Sequence, residues 1–428
     1  MTLIATSSRT RRIIKFALFA LLVLTGNAKA EVSIDSRGQL GIEARAFTQK
    51  GDGEPANVSM VGRLVFDAKS KPFKLHLRGF VRHDGFDRQR SAVFPEEAWV
   101  EFKKNPFRIR LGYQLLNWTA TEAFHPGDVI NSRYLDGNVQ NPEKLGELMA
   151  SVRLKFLEGN IEAYFMPFFV EPILPSSNSR FRFFPEGAIL GDTVFIDASG
   201  QLTDKKFHPQ WGARIQQSFW GADLGVHVVQ HLDRSLPLVF FDPENPTTVP
   251  PTIVYQHVTE VGGTLQKVWG PVIVKGEVGY RRFTKPNQSA VAMGPVPGRN
   301  HTLAALGLEW GLAVGEGETT FLLEAQNAFG LDDDASGILL FQRDILVGAR
   351  HDFADEASQT LSGSVILDLE RPSRIFANVE YGRRLGENWT TQIGYRLIRY
   401  PPVDKSQPVG PEFLNNANYA YVNLSRFF

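Results

Sequence analysis

The chain has no cysteine among its 428 residues. Disulfide frameworks and thiolate metal centres are therefore excluded. Net charge is missing too, because 46 basic residues balance 46 acidic ones. The first thirty residues hold five basic side chains and no acidic one, so the remainder carries 41 against 46. That balance does not fit a cationic nucleic-acid surface or an extreme polyanion conduit. Beyond residue 30 no stretch reaches the roughly 18 uninterrupted apolar residues that a transmembrane helix needs. P-loop, His-Glu-x-x-His, EF-hand and Gly-x-Ser-x-Gly patterns are absent as well. His227 and His231 share a strand face but have no nucleophile motif beside them. No catalytic residue, metal ligand or cofactor is expected.

What is present begins with export. Arg9, Arg11, Arg12 and Lys15 precede the apolar run from Phe16 to Leu24, and Ala28-Lys29-Ala30 follows. This order of charge, short apolar core and small-residue site predicts a signal peptide over residues 1–30. Residues 31–428 are then one unit.

That unit alternates apolar and polar residues for about ten positions at a time, then turns. Phe73, Leu75, Leu77, Gly79 and Val81 share one face of a segment, and Lys74, His76, Arg78 and Arg82 share the other. Burying the charged face in a dry core is very costly. A transmembrane antiparallel β-barrel resolves the conflict, with apolar residues toward lipid and polar ones toward a wet lumen.

Eighteen segments fit this period. The first nine are Gly38–Gln49, Ser59–Asp67, Phe73–His83, Glu96–Lys103, Phe107–Trp118, Glu147–Leu157, Asn160–Phe168, Pro209–Trp220 and Ala222–Leu232. The second nine are Thr252–Val268, Val272–Phe283, His301–Leu312, Thr319–Asn327, Leu340–Phe353, Ser358–Glu370, Arg374–Arg384, Trp389–Arg399 and Asn418–Phe428. Short turns follow the even segments and longer loops mostly follow the odd ones, as in outer-membrane barrels. Trp220, Trp269, Trp310 and Trp389 fall at the short turns, where an interfacial girdle belongs. Trp118 and Trp211 fall near the opposite rim. A secreted sandwich or propeller also has many short strands, but it leaves the charged faces unexplained.

The last segment ends on Phe428. A terminal phenylalanine closing such a strand resembles the assembly signal of Gram-negative outer-membrane barrels. The resemblance implies the cell outer membrane as location, with barrel-assembly machinery, outer-membrane lipid and lipopolysaccharide as partners. No nucleic-acid partner is expected, and oligomeric state is not legible.

Charged residues on the lumen face form two groups. Lys74, Arg78, Arg82, Arg108, Arg110, Arg153 and Lys155 lie on segments three, five and six. Glu324, Asp368, Glu370 and Glu380 lie on segments thirteen, fifteen and sixteen. In a ring of eighteen these groups nearly oppose one another, and such ladders orient polar solutes. The alternative is ion pairing between neighbouring strands, which only stiffens the wall.

A turn-rich loop after segment five carries Trp118, Phe124, His125, Pro126, Asp128 and Asn131. The run Arg110-Leu111-Gly112-Tyr113-Gln114, then Trp118, Phe124, Asp128-Val129-Ile130-Asn131 and Leu145-Gly146, resembles a family of proteobacterial outer-membrane barrels. Pro167 to Pro175 resembles that family's next hairpin. The family is distantly similar to alginate-export-type porins, which have eighteen strands. The chain departs from the pattern at Asn117 and Ser132. The resemblance implies a transport barrel and names no solute.

Two outer loops are unexpectedly apolar, from Phe165 through Phe184 and from Leu236 to Phe241. Apolar loops imply burial, either inside the lumen or against each other. With Arg180 and Arg182, they join Trp118, Phe124, Asp128 and Asn131 as candidates for a constriction. Asp332-Asp333-Asp334 forms an acidic loop tip. The reading is a porin-like channel for a small polar or amphipathic solute. The alternatives are a structural barrel in envelope assembly and an outer-membrane hydrolase.

Overall fold

A computed structural model describes residues 32–51, 53–138, 142–189, 191–235, 237–240, 250–287, 300–331, 339–402 and 410–428. The expected signal peptide and the Asp332–Asp334 tip lie outside the described residues.

Eighteen antiparallel strands close into a barrel. They are β1 (Ser33–Phe47), β2 (Ala56–Ser70), β3 (Phe73–Asp84), β4 (Ala92–Lys104), β5 (Phe107–Gln114) and β6 (Glu147–Phe156). Next come β7 (Gly159–Phe168), β8 (Phe207–Phe219), β9 (Ala222–Leu232), β10 (Thr252–Trp269), β11 (Val272–Phe283) and β12 (His301–Val314). The last are β13 (Gly317–Phe329), β14 (Arg343–Asp352), β15 (Thr360–Asp368), β16 (Ile375–Leu385), β17 (Trp389–Arg399) and β18 (Tyr419–Phe427). Each strand pairs with its sequence neighbours, and β1 pairs with β18, so the sheet has no free edge. At the seam Gln39 faces Phe427 and Phe47 faces Tyr419. Phe428 extends the seam, since its N–H donates to the Gly38 carbonyl at 3.0 Å and its carbonyl accepts from Gly38 at 2.8 Å. Closure joins the first strand to the last, which is what makes a β-sheet viable in lipid.

The strand count and the order of short and long connections agree with the sequence reading. The Trp220-Gly221 hairpin shows why the even connections stay short. Both residues have positive φ (49° and 70°), the two-residue turn whose twist matches the flanking strands. The outer face carries Leu40, Ile42, Leu64, Val226, Leu306, Val347, Ile393 and Val422, all exposed. At the short-turn end Trp220 is 84 % exposed and Trp269 76 %, as interfacial anchors require. Arg426 lies over the Trp389 ring at 5.8 Å. Its charge therefore sits at the girdle rather than mid-bilayer.

Several boundaries differ, among them the starts of β1 at Ser33 rather than Gly38 and of β4 at Ala92 rather than Glu96, and one of them shapes the lumen. The period predicts a strand from Phe107 to Trp118, but β5 ends at Gln114. The cause is the Asn131 side chain. It accepts the Leu116 N–H at 2.8 Å and donates to the carbonyls of Gln114 and Leu145, both at 2.9 Å. A side-chain amide replaces the ladder there, and the chain turns inward. Trp118 consequently lies inside the barrel, against Tyr164 and His227, and not on the rim. Trp211 is half-exposed on the outer face.

Candidate constriction in the barrel lumen

From Leu115 to Gly127 the chain leaves β5, enters the lumen and reaches the far wall. Two carboxylates receive it. Glu277 on β11 accepts the backbone N–H groups of Ala120 (2.5 Å), Thr121 (3.0 Å) and Gly127 (3.1 Å). Glu324 on β13 accepts those of Glu122 and Ala123 (2.9 Å). An irregular segment carries unpaired backbone donors, and inside a barrel they need acceptors. Ionised carboxylates are strong ones. Lys275 then links the loop's Glu122 (2.6 Å) to Glu309 on β12.

The tip of the loop is apolar. Phe124 is buried edge-on to Phe341 at 5.4 Å, and Phe341 meets Phe376 at 5.6 Å. The cluster extends through Leu346, Ile366, Ile398 and Tyr400 and includes Phe181 from the following long loop. Phe181 packs on Phe47 and Tyr419, both at 5.4 Å. Phe181 of the first apolar loop is thus buried in one cluster with the Phe124 tip and the upper wall. Of the second apolar loop, Leu238–Phe240 pairs as a strand with the upper part of β10.

The loop's polar residues are tied locally. Asp128 accepts from Arg133 and from Lys144 (2.7 Å). Burial alone would raise the Asp128 carboxyl, but those two cations bring it below the usual carboxylate range. Asp136 behaves likewise: burial opposes the shift, and Arg45, Arg82 and Arg90 lower it. Arg82 donates to Asp136 at 2.9 Å and to Glu43 at 2.7 Å. Arg180 donates to the Gln49 carbonyl (3.1 Å), and Arg182 to that of Ser179 (3.3 Å), both at the mouth above the tip.

The other basic residues divide by partner. Lys74 meets Asp67 at 2.7 Å, and Arg78 donates to Glu96 at 2.7 Å. Arg108, Arg110 and Arg153 form one group around two carboxylates. Arg110 donates to Glu101 at 2.6 Å, and Arg108 lies 3.8 Å from both Glu101 and Glu162. Arg153 pairs with Glu162, and Arg110 also covers the Trp99 ring at 4.1 Å. Lys155 is exposed near the short-turn end. Opposite, Glu370 lies 3.4 Å from Arg343, and Asp368 accepts the N–H groups of Glu370 (2.9 Å) and Arg371 (2.8 Å). Glu380 accepts the Tyr421 hydroxyl at 2.6 Å. His227 and His231 take separate partners, Glu260 and the Leu232 carbonyl.

Sequence reasoning missed Glu277, Lys275 and Arg214. Each lies on the polar alternate face of its strand, so the period-two pattern marks all three as lumen residues. Nothing local marks what they touch. Below the loop, Arg214 borders a cavity of about 310 Å3 between the loop's Thr119–Ala120 and β7 to β10.

No family profile and no curated protein matches the chain by sequence. Its fold is similar to solved structures. A BenF-like porin from Pseudomonas fluorescens Pf-5 superposes with a TM-score of 0.53 at 9 % identity, covering 93 % of this chain and 98 % of that one. OccAB1 of Acinetobacter baumannii gives 0.53 at 8 % identity, covering 94 % and 98 %. OccAB3 of the same organism gives 0.52 at 9 % identity, covering 93 % and 99 %. The likeness is one of fold: an all-β closed barrel of the outer-membrane porin type.

Proposed function

We propose that the chain is a porin-like channel in the outer membrane of a Gram-negative cell, passing a small polar solute by diffusion. The carrying observation is the loop that Glu277 and Glu324 hold across the lumen. A loop fastened to the far wall by buried charge sets a cross-section rather than a flexible cover. The similar solved structure named as a porin supports this reading. In this reading residues 1–30 are cleaved on export and the barrel-assembly machinery inserts the chain. Outer-membrane lipid and lipopolysaccharide then surround the girdle. No enzymatic role is assigned.

The lumen charges add a transverse field. Arg108, Arg110 and Arg153 exceed Glu101 and Glu162 by one charge on one wall, and Glu370 and Glu380 face them. Same-wall pairing of Lys74, Arg78 and Arg82 weakens the field that bare ladders would produce. The run from Arg110 to Asn131 also supports kinship with the barrel family distantly similar to alginate-export-type porins, since Gln114 and Asn131 build the inward turn. Single-channel recording in planar bilayers tests the function. Discrete conductance steps are expected, and a barrel that stays sealed overturns the channel.

A further inference from the structure

Arg214, on β8, is 4 % exposed. Its Nη2 donates to the Thr264 hydroxyl at 3.0 Å, and its guanidinium covers the Trp118 ring at 5.1 Å. Its Nε and Nη1 have no hydrogen-bond partner among the described residues. The same cavity is bordered by Asn160, whose buried Oδ1 also has none. A buried guanidinium with two unpaired nitrogens is costly unless something accepts from it. The position is built, since a Cβ on Gly225 would come within 2.7 Å of Nη2 and 2.5 Å of the Thr264 hydroxyl.

From this pair of unused groups we propose that the cavity beneath the loop binds a small, neutral, polyhydroxylated solute, a monosaccharide or polyol. The inference rests on the channel reading and names the solute class. Arg214 offers donors and Asn160 an acceptor. A hydroxyl group both accepts and donates, so the hydroxyls of one polyol can meet both needs. A carboxylate accepts only, and an ammonium donates only. The remaining border is rich in amides and hydroxyls, with Gln216, Gln266, Ser218 and Thr264. Arg214 is the single cation among the bordering residues, against Asp223 and Glu158. An anion therefore gains no net attraction there. The volume, about 310 Å3, lies at the low end for small-molecule sites, the size of one sugar ring rather than a chain.

Binding is read from tryptophan fluorescence of the purified barrel in detergent, with Trp118→Phe as the control that assigns the signal. The probes are D-glucose, D-sorbitol and, as the anionic counterpart, D-gluconate. Glucose or sorbitol should give a saturable change, and gluconate should bind no more tightly. Arg214→Gln and Asn160→Ala should each weaken glucose by about tenfold or more. Asn160 sits at the edge of its strand, so its variant tests the site even if the arginine variant fails to fold. A flat glucose and sorbitol titration, affinity unchanged in Asn160→Ala, or tighter gluconate overturns the proposal. Conductance measured in parallel separates the two readings. A conducting barrel without saturable glucose or sorbitol binding loses only this site, and a sealed barrel that binds glucose loses only the channel.

Discussion

Glu277 on β11 accepts the backbone N–H of Gly127 at 3.1 Å, a contact made across the lumen between residues 150 apart in sequence. The same carboxylate holds Ala120 and Thr121, so one side chain fixes both arms of the loop's bend. A long lumen loop is a liability for a channel unless it has one position. Five backbone donors captured by two carboxylates supply that position, and the Phe124 tip seals it with an apolar contact.

Glu277→Ala should free the loop. It strands three backbone donors, each worth about 1–3 kcal/mol when left unsatisfied in a buried place. The barrel wall keeps its own ladder, so the strands persist while the loop detaches. Single-channel traces should show larger and noisier conductance than wild type. Conductance and noise identical to wild type would mean that the loop is held by something other than this carboxylate.

The arginine group on β5 and β6 should set ion preference. Arg108→Gln with Arg110→Gln removes two positive charges from beside Glu101 and Glu162, leaving Arg153 against two carboxylates. Reversal potentials in a salt gradient should move toward cation preference by several-fold in permeability ratio. An unmoved reversal potential would assign the group to wall stability alone.

The period-two pattern made the barrel legible because a closed sheet repeats one simple rule eighteen times. Faces, turns and tryptophan girdle all follow from local order, as Phe73 to Val81 and Trp220-Gly221 illustrate. The inside of the ring obeys no such rule. Glu324 reads in sequence as a free lumen charge, yet its oxygens accept from Glu122 and Ala123. The role of Glu277 is not legible in sequence because its partners are backbone amides, which have no sequence signature. Asn131 was visible as part of a motif, but its work of ending β5 through three hydrogen bonds appears only in three dimensions.

Acid should leave the ion pairs of Asp128 intact until low pH. Arg133 and Lys144 lower the Asp128 carboxyl below its ordinary value despite burial, and the unfolded value is near 3.9. A carboxyl depressed in the folded state adds stability that is full above the unfolded value and is lost as pH falls through the folded one. Melting of wild type and Asp128→Asn should therefore differ by a constant amount from pH 7 to about pH 5. The gap should shrink below about pH 4. A gap that already closes between pH 7 and pH 5 would contradict the ion-paired state of Asp128.

Phe428 extends the seam, and a pair of variants can test whether it also serves recognition. Its backbone extends the seam through reciprocal bonds to Gly38 of 3.0 and 2.8 Å. Its ring lies so close to Gly38 that a Cβ there would fall 2.4 Å from it. Deleting Phe428 removes both bonds, worth about 1 kcal/mol each in net terms and more where water is excluded. Phe428→Ala keeps the bonds and removes only the ring. If the ring serves recognition by the assembly machinery, Phe428→Ala should lower the amount of folded barrel in the outer membrane. The protein refolded from purified chain should then melt close to wild type. The deletion should lower both membrane yield and melting temperature. Normal membrane yield for Phe428→Ala would leave the residue a role in the seam and none in recognition.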